Sequence, residues 1–362
     1  MESDASTQRS RLRILIFRLG SIGDFVISLP CLHFIRDAYP DAEIGLLTNR
    51  PADARSLPAS DILAGTGLID VYIDYPGGTR APSDLWRVRR VIRRFKPDRL
   101  IHLAPRHEPF AVARDYVFFR LCGVANIVAP LAPSLCRLQP PARGELSWEP
   151  EVHRLARLLA RIGPVDIDRI ENWNLHLTES EIHDADACLT TLSDGEGGSR
   201  QFIAFSVGTK QAIKDWGPDN WRSVMNALAR ADLGLVAIGA GQDAAVSQAL
   251  LDLWPGPTLN LCGTIPPRVS AAVLRRAAMF MCHDSGPMHL ASTVGTPCVA
   301  VFSRHNRPGE WYPIGAQHRI LYPAWRHGTI QAIRPRQVVA AAHEVLAAAG
   351  LGADEPSLAR VA

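Results

Sequence analysis

Apolar runs, each followed by a glycine-bearing polar turn and a segment of helical spacing, recur along this chain. Residues 13–19 form such a run, 20–24 the turn and 25–38 the helical stretch. Further strand-like runs at 43–48, 71–75 and 99–104 have helical stretches between them. Alternation of this length predicts a parallel sheet covered by helices on both faces. Proline-rich 129–141 predicts irregular surface chain, and helical 151–162 leads to Gly163-Pro164, where the inter-domain connection is expected to start. The pattern then restarts, with strand-like 201–207 and 234–239 and helical 219–231 and 243–253. In 278–302, strand runs at 278–282 and 297–302 bracket a polar turn and a helix. Residues 336–349 predict a terminal helix that packs back across the domain interface, and 350–362 a frayed tail. The expected organisation is an α/β domain over 1–165, a second over 180–349, and a cleft between them.

Composition narrows the function classes. At 362 residues and 47% hydrophobic, the chain can bury two cores. A formal net charge of only +3 gives neither half the basic field of a nucleic-acid binder. Seven cysteines without a C-x-x-C pair, mostly within apolar runs, suggest reduced buried thiols and a cytoplasmic setting. The apolar run at 14–17 is too short for a signal segment, and no stretch approaches a membrane span.

The most informative turn is Asp284-Ser285-Gly286, with His289 one turn further on. A helix start with free backbone N–H groups, a hydroxyl and a glycine that permits close approach suits a phosphate. The same residues also suit a capped helix start with a half-buried histidine. In the first turn, Gly20 and Gly23 permit a sharp change of direction and Asp24 ends it. Asp24 is either an N-cap or a proton acceptor facing the cleft. Neither βα turn carries G-x-G-x-x-G or the P-loop lysine, which argues against a dinucleotide dehydrogenase and a P-loop enzyme. In the loop 206–216, Thr209, Lys210 and Lys214 suit a diphosphate and its departing charge. Asp243, in the turn Gly239-Ala240-Gly241-Gln242-Asp243, is a ribose ligand or a cap. Asp166-Ile167-Asp168 has the D-x-D spacing of metal-dependent transferases but lies in the connection, and reads as structural.

Three motifs in order, R-L-G-S-I-G-D at 18–24, G-T-K…K-D-W at 208–216 and D-S-G-P-M-H-L-A at 284–291, resemble glycosyltransferase family nine, the ADP-heptose:lipopolysaccharide heptosyltransferases. The resemblance implies a GT-B fold, two Rossmann-like domains facing a cleft, and an inverting transfer that uses no metal or other cofactor. It implies Asp24 as general base, Lys214 and Thr209 on the donor diphosphate, Ser285, Gly286 and His289 along the donor site, and Asp243 near the donor ribose. The expected reaction moves a sugar, an ADP-linked heptose, to a hydroxyl of a lipopolysaccharide-type or other glycan or a lipid-linked saccharide. A nucleotide-sugar epimerase and a non-catalytic sugar-nucleotide-binding module remain the rival readings. The chain departs from the family where Trp216 is followed by Gly217-Pro218 rather than directly by proline, in the additional Lys210, and across 303–315.

Residues 86–96 (W-R-V-R-R-V-I-R-R-F-K) predict a helix with Val88, Val91, Ile92 and Phe95 as one buried stripe and arginines on the other face. That face is ordinary solvated surface, or a patch through which Arg89, Arg90, Arg93 and Arg94 touch an anionic membrane or a phosphorylated acceptor. The corresponding localisation is cytoplasmic, peripheral at the inner face of the inner membrane.

Overall fold

The computed structural model describes residues 11–49, 57–75, 81–103, 109–129, 132–192, 200–324 and 328–352. Two parallel sheets carry it. The first has strands β1 (Arg13–Phe17), β2 (Glu43–Asn49), β3 (Val71–Tyr75), β4 (Arg99–His102) and β5 (Asn126–Val128), in the order β3-β2-β1-β4-β5. The second has β6 (Phe202–Ser206), β7 (Gly234–Ala237), β8 (Thr258–Asn260), β9 (Met279–His283), β10 (Cys298–Val301) and β11 (Arg319–Leu321), in the order β11-β10-β9-β6-β7-β8. The central strands are continuous apolar runs because both sheet faces are covered; β6, β9 and β10 are buried at every residue.

Strand order positions the site. In each sheet the first strand in sequence has neighbours on both sides, so the order reverses beside it, and ligands of open α/β sheets sit at the carboxyl ends of strands at such a reversal. The turn 18–24 follows β1. The loop 207–217 follows β6, and Asp284–Gly286 follows β9, paired to β6 with Ser206 opposite Cys282. Motifs about 75 residues apart thus share one sheet edge.

The halves pack directly. One core runs from Ile14, Ile16 and Leu32 to Phe280, Cys282 and Met288. Arg268, 4% exposed, staples them: its guanidinium donates to the carbonyls of Ile62, Leu175 and His176 and pairs with Glu181 at 2.5 Å.

Several expectations need correction. The terminal helix, Pro335–Ala348, does not cross the interface; its apolar face joins the core of the second sheet, through Val338, Ala342 and Leu346. The arginine-rich helix runs from Pro82 to Phe95, so Asp84 lies in its first turn, and Val91 is exposed rather than in the buried stripe. The passage 129–141 contains a short helix, Pro133–Cys136, and buries Leu138. Of the expected tail, 353–362 lie outside the described residues.

Candidate active site

The first turn is built tightly. Asn49, at the end of β2, accepts from Gly20 N–H (2.6 Å) and donates to its carbonyl (3.1 Å). A side chain at Gly20 would run into Asp24, so glycine is required there. One carboxylate oxygen of Asp24 accepts from Ser21 N–H at 2.8 Å, capping the Ile22–Ile27 helix. Its other oxygen lies 3.6 Å from the guanidinium of Arg18. Arg18 is fully buried, donates to the carbonyls of Asp24 (3.0 Å) and Leu103 (2.9 Å), and lies 3.7 Å from Glu151. Glu151, equally buried, takes two hydrogen bonds from Arg154, at 2.8 and 2.6 Å. Buried guanidinium groups demand counter-charge, and Asp24 supplies part of it from the cleft side while its own side chain stays 23% exposed.

The loop after β6 is anchored at Trp216, which is fully buried. Its backbone N–H donates to the ring of His283 (3.1 Å) and its indole N–H to the carbonyl of Ile333 (2.9 Å). That anchor aims Lys214 at Asp284, whose carboxylate accepts from Nζ at 2.8 Å and whose carbonyl lies at 3.3 Å. Asn306 also donates to the Asp284 carboxylate, at 2.6 Å, and is itself held by Tyr322 through its backbone carbonyl.

Asp284 is therefore committed to neighbours, and the helix Gly286–Thr293 begins at Ser285 without a side-chain cap. The Ser285 hydroxyl is buried and has no hydrogen-bond partner among the described residues. A Cβ at Gly286 would lie 2.9 Å from Cβ of Ile22, and one at Gly23 2.8 Å from Cδ2 of His289. The two glycines thus let two helix starts, one from each half, meet closely, and each start carries a partial positive charge. His289 is 3% exposed and packs edge-on against Trp311. Burial pushes its imidazole down to about 4, against the opposing pull of Asp284 and Asp24, with Lys214 adding to the depression. Asp24, Lys214, Asp284, Ser285, Gly286 and His289 come together at this junction.

Three other expected residues lie in the neighbouring turns. Thr209 hydrogen-bonds within its own turn to Gln211, and Lys210 lies on the exposed face of the loop. Asp243 caps its own turn, accepting from Ala240 N–H at 2.9 Å, with its carboxylate packed beneath Gly208. Asp166 closes a turn by accepting from the N–H groups of Asp168 and Arg169. Among the described residues no group of three or more His, Cys, Asp or Glu could hold a metal ion.

Sequence reasoning passed over Arg18 as more than a motif letter, and over His283, Asn306 and Glu310. His283 reads as one more strand residue, and Asn306 lies in a loop without periodicity. That loop nevertheless reaches the first half: Pro308 and Glu310 carbonyls accept from Trp148 and Glu151 N–H at 2.7 and 3.0 Å, and Arg307 stacks on Trp148.

The architecture is the GT-B class of glycosyltransferase fold. The description "Glycosyltransferase family 9 (heptosyltransferase)" matches residues 137–330, and the chain belongs to that family. A family 9 glycosyl transferase structure from Veillonella parvula superposes with a TM-score of 0.69 at 19% identity, covering 93% of this chain and 98% of that one. The Escherichia coli ADP-heptose lps heptosyltransferase II structure gives 0.65 at 17% identity, covering 93% and 99%. In sequence, the chain is 22% identical over 136 residues to the lipopolysaccharide core heptosyltransferase OpsX of Haemophilus influenzae, a match spanning 37% of each chain. Among the described residues no helix is long and apolar enough to cross a membrane.

Proposed function

We propose that this protein is an inverting glycosyltransferase that moves a heptose from an ADP-linked donor to a hydroxyl of a lipopolysaccharide-type acceptor, with no metal ion. The observation that carries the reading is the junction itself: a carboxylate from one half faces a cation and an uncapped helix start from the other. Asp24 takes the proton of the acceptor hydroxyl while its oxygen attacks the anomeric carbon. The bond from that carbon to the diphosphate breaks on the opposite face, so one displacement inverts the centre. Charge building on the diphosphate is met by Lys214, by Thr209 and Lys210 on the flanking loop, and by the N–H groups at Gly286. Lys214 shares its charge between Asp284 and the phosphates, with Asn306 keeping the carboxylate satisfied. Asp243, beneath Gly208, is assigned to the donor ribose, and neutral His289 to the wall of the donor site. The donor identity is supported by the likeness to the Escherichia coli ADP-heptose lps heptosyltransferase II, and the setting is cytoplasmic.

The test is incubation with ADP-heptose and a heptose-free lipopolysaccharide core. The expected result is stoichiometric ADP and a new saccharide of inverted anomeric configuration. A change in the donor without acceptor would identify an epimerase. ADP binding without any turnover would identify a binding module.

A further inference from the structure

His283, the last residue of β9, is fully buried. Trp221 stands edge-on to its ring with centroids 5.3 Å apart, and Trp216 stands edge-on to Trp221 at 5.1 Å. An apolar side chain would fill such a place without electrostatic cost. A buried imidazole is tolerable only where its nitrogens find partners.

Those partners fix its chemistry. Trp216 N–H donates to Nε2 at 3.1 Å, so Nε2 carries a lone pair and the neutral ring holds its proton on Nδ1. Nδ1 faces the backbone of Gly208 without closing a full hydrogen bond. Gly208 and Trp216 are the two ends of the loop that carries Thr209, Lys210 and Lys214. Within that loop Thr209 bonds only locally to Gln211, and the turn Ala212–Lys214 buries no residue. Its far end is also tied from outside, through the Trp216 indole to Ile333 and the Asp215 carbonyl to Gln331. His283 supplies the tie from β9, the strand that delivers Asp284, and one rigid ring reaches both ends of the loop.

Protonation undoes this arrangement. The second proton goes onto Nε2, which then sets an N–H against the Trp216 N–H, two donors with no acceptor between them. The charged groups around the ring are Asp215, Asp284 and Lys214. Burial pushes the imidazole down to about 4, against the pull of the two carboxylates, with Lys214 adding to the depression.

We propose that His283 is a positioning residue for the donor: as the Nδ1–H tautomer it clamps both ends of the 208–216 loop and so presents Lys214 to the diphosphate, and as the imidazolium it releases the loop and weakens donor binding. The proposal deepens the proposed function and rests on its assignment of this loop to the diphosphate. His283 acts through the Trp216 backbone, and Lys214 stands two residues before that anchor.

The experiment is steady-state kinetics with ADP-heptose from neutral pH down to about pH 4.5, on wild type, His283→Gln and His283→Leu. Glutamine can place an amide oxygen where Nε2 stood and does not titrate; leucine fills the space and accepts nothing. At neutral pH the leucine variant should raise the donor KM about ten- to a hundredfold, the effect of one buried N–H left unpaired, with kcat within about threefold of wild type. The glutamine variant should recover most of that loss. Toward acid the wild-type donor KM should climb, and that of the glutamine variant should climb less, the remainder belonging to His289. A merely structural histidine would reduce the active fraction, lowering kcat and sparing the KM. Hydrogen exchange of the 207–217 amides reads the clamp without turnover: it should quicken in the leucine variant and stay near wild type in the glutamine one. An unchanged donor KM in the leucine variant overturns the proposal, as does an equal acid rise in wild type and the glutamine variant. Should the leucine variant fail to fold, the glutamine comparison across pH decides alone. If no protein turns over ADP-heptose while loop exchange changes as expected, the clamp stands and the assignment of its ligand falls.

Discussion

At the start of the Ile22–Ile27 helix, Asp24 turns back to cap Ser21 N–H, and buried Arg18 braces the carboxylate from behind. At the start of the Gly286–Thr293 helix, which meets it across the cleft, the equivalent Ser285 makes no side-chain cap and its hydroxyl has no partner among the described residues, while the neighbouring Asp284 is drawn aside by Lys214 and Asn306. At the first start the Asp24 carboxylate answers the Ser21 N–H and lies against the helix dipole; at the second no carboxylate folds back, and the dipole is open to an anion. The same local device, a polar turn opening a helix after a parallel strand, thus serves a base on one side and a phosphate seat on the other. The division depends on which carboxylate folds back.

The sharpest way to break this comparison is Asp24→Asn. The amide can still accept from Ser21 N–H, so the helix cap survives, but it cannot take a proton. Turnover should fall by about 10²–10⁴-fold with donor affinity nearly unchanged. Wild-type kcat in this variant would return Asp24 to a cap alone.

Acid should act on the second side next. Burial holds His289 and His283 down to about 4 from an ordinary 6.5. Between those values the unfolded chain binds more protons than the folded one, so stability rises with pH. It is fully present above pH 6.5 and is lost as pH falls toward 4, by up to about 3 kcal/mol for each ring. Denaturant titrations at pH 7 and pH 5, with wild type against His283→Gln, check this: the variant should show a shallower loss. An equal loss in both proteins would remove His283 from the explanation.

The repeat of apolar run, polar turn and helix was readable because the inner strands, buried on both faces, are unbroken apolar runs. The edge strands β5, β8 and β11 were not: Asn126–Val128, Thr258–Asn260 and Arg319–Leu321 are three residues each, too short for any period. The terminal helix was legible as a helix, but its partner was not, because an Ala- and Val-rich face fits either half. The site turns were visible because their glycines, serines and aspartates stand between a strand and a helix, where open α/β sheets bind ligands, although the same residues also serve as helix caps. Their convergence was not, since it depends on β6 lying beside β9, a matter of strand order rather than of local sequence. His283 and Asn306 hold the site through single hydrogen bonds across long separations, 67 residues to Trp216 and 22 to Asp284, and leave no pattern.

Lys214→Met probes what draws Asp284 aside. Losing the ammonium should raise the donor KM about ten- to a hundredfold, the range for one charge-assisted contact. It should also lower the melting temperature, because the Asp284 carboxylate, 4% exposed, keeps only Asn306 among the described residues. Adding Asp284→Asn should recover the lost stability without recovering the KM. Recovery of both would assign Lys214 to the fold rather than to the donor.

The smallest effect expected is also the most discriminating. Ser285→Ala removes a buried hydroxyl that bonds to nothing among the described residues. Deleting a satisfied N-cap serine costs about 0.5–2 kcal/mol, whereas deleting an unsatisfied buried polar group relieves a desolvation penalty of comparable size. The two readings of Ser285 therefore predict opposite signs. As a phosphate ligand, its loss should leave the melting temperature unchanged or slightly higher and raise the donor KM only several-fold, with kcat/KM falling in step. As a structural cap, its loss should lower the melting temperature and spare the KM. Thermal melts and steady-state kinetics on the one variant decide between them, and a lowered melting temperature with intact KM would make the two helix starts alike after all.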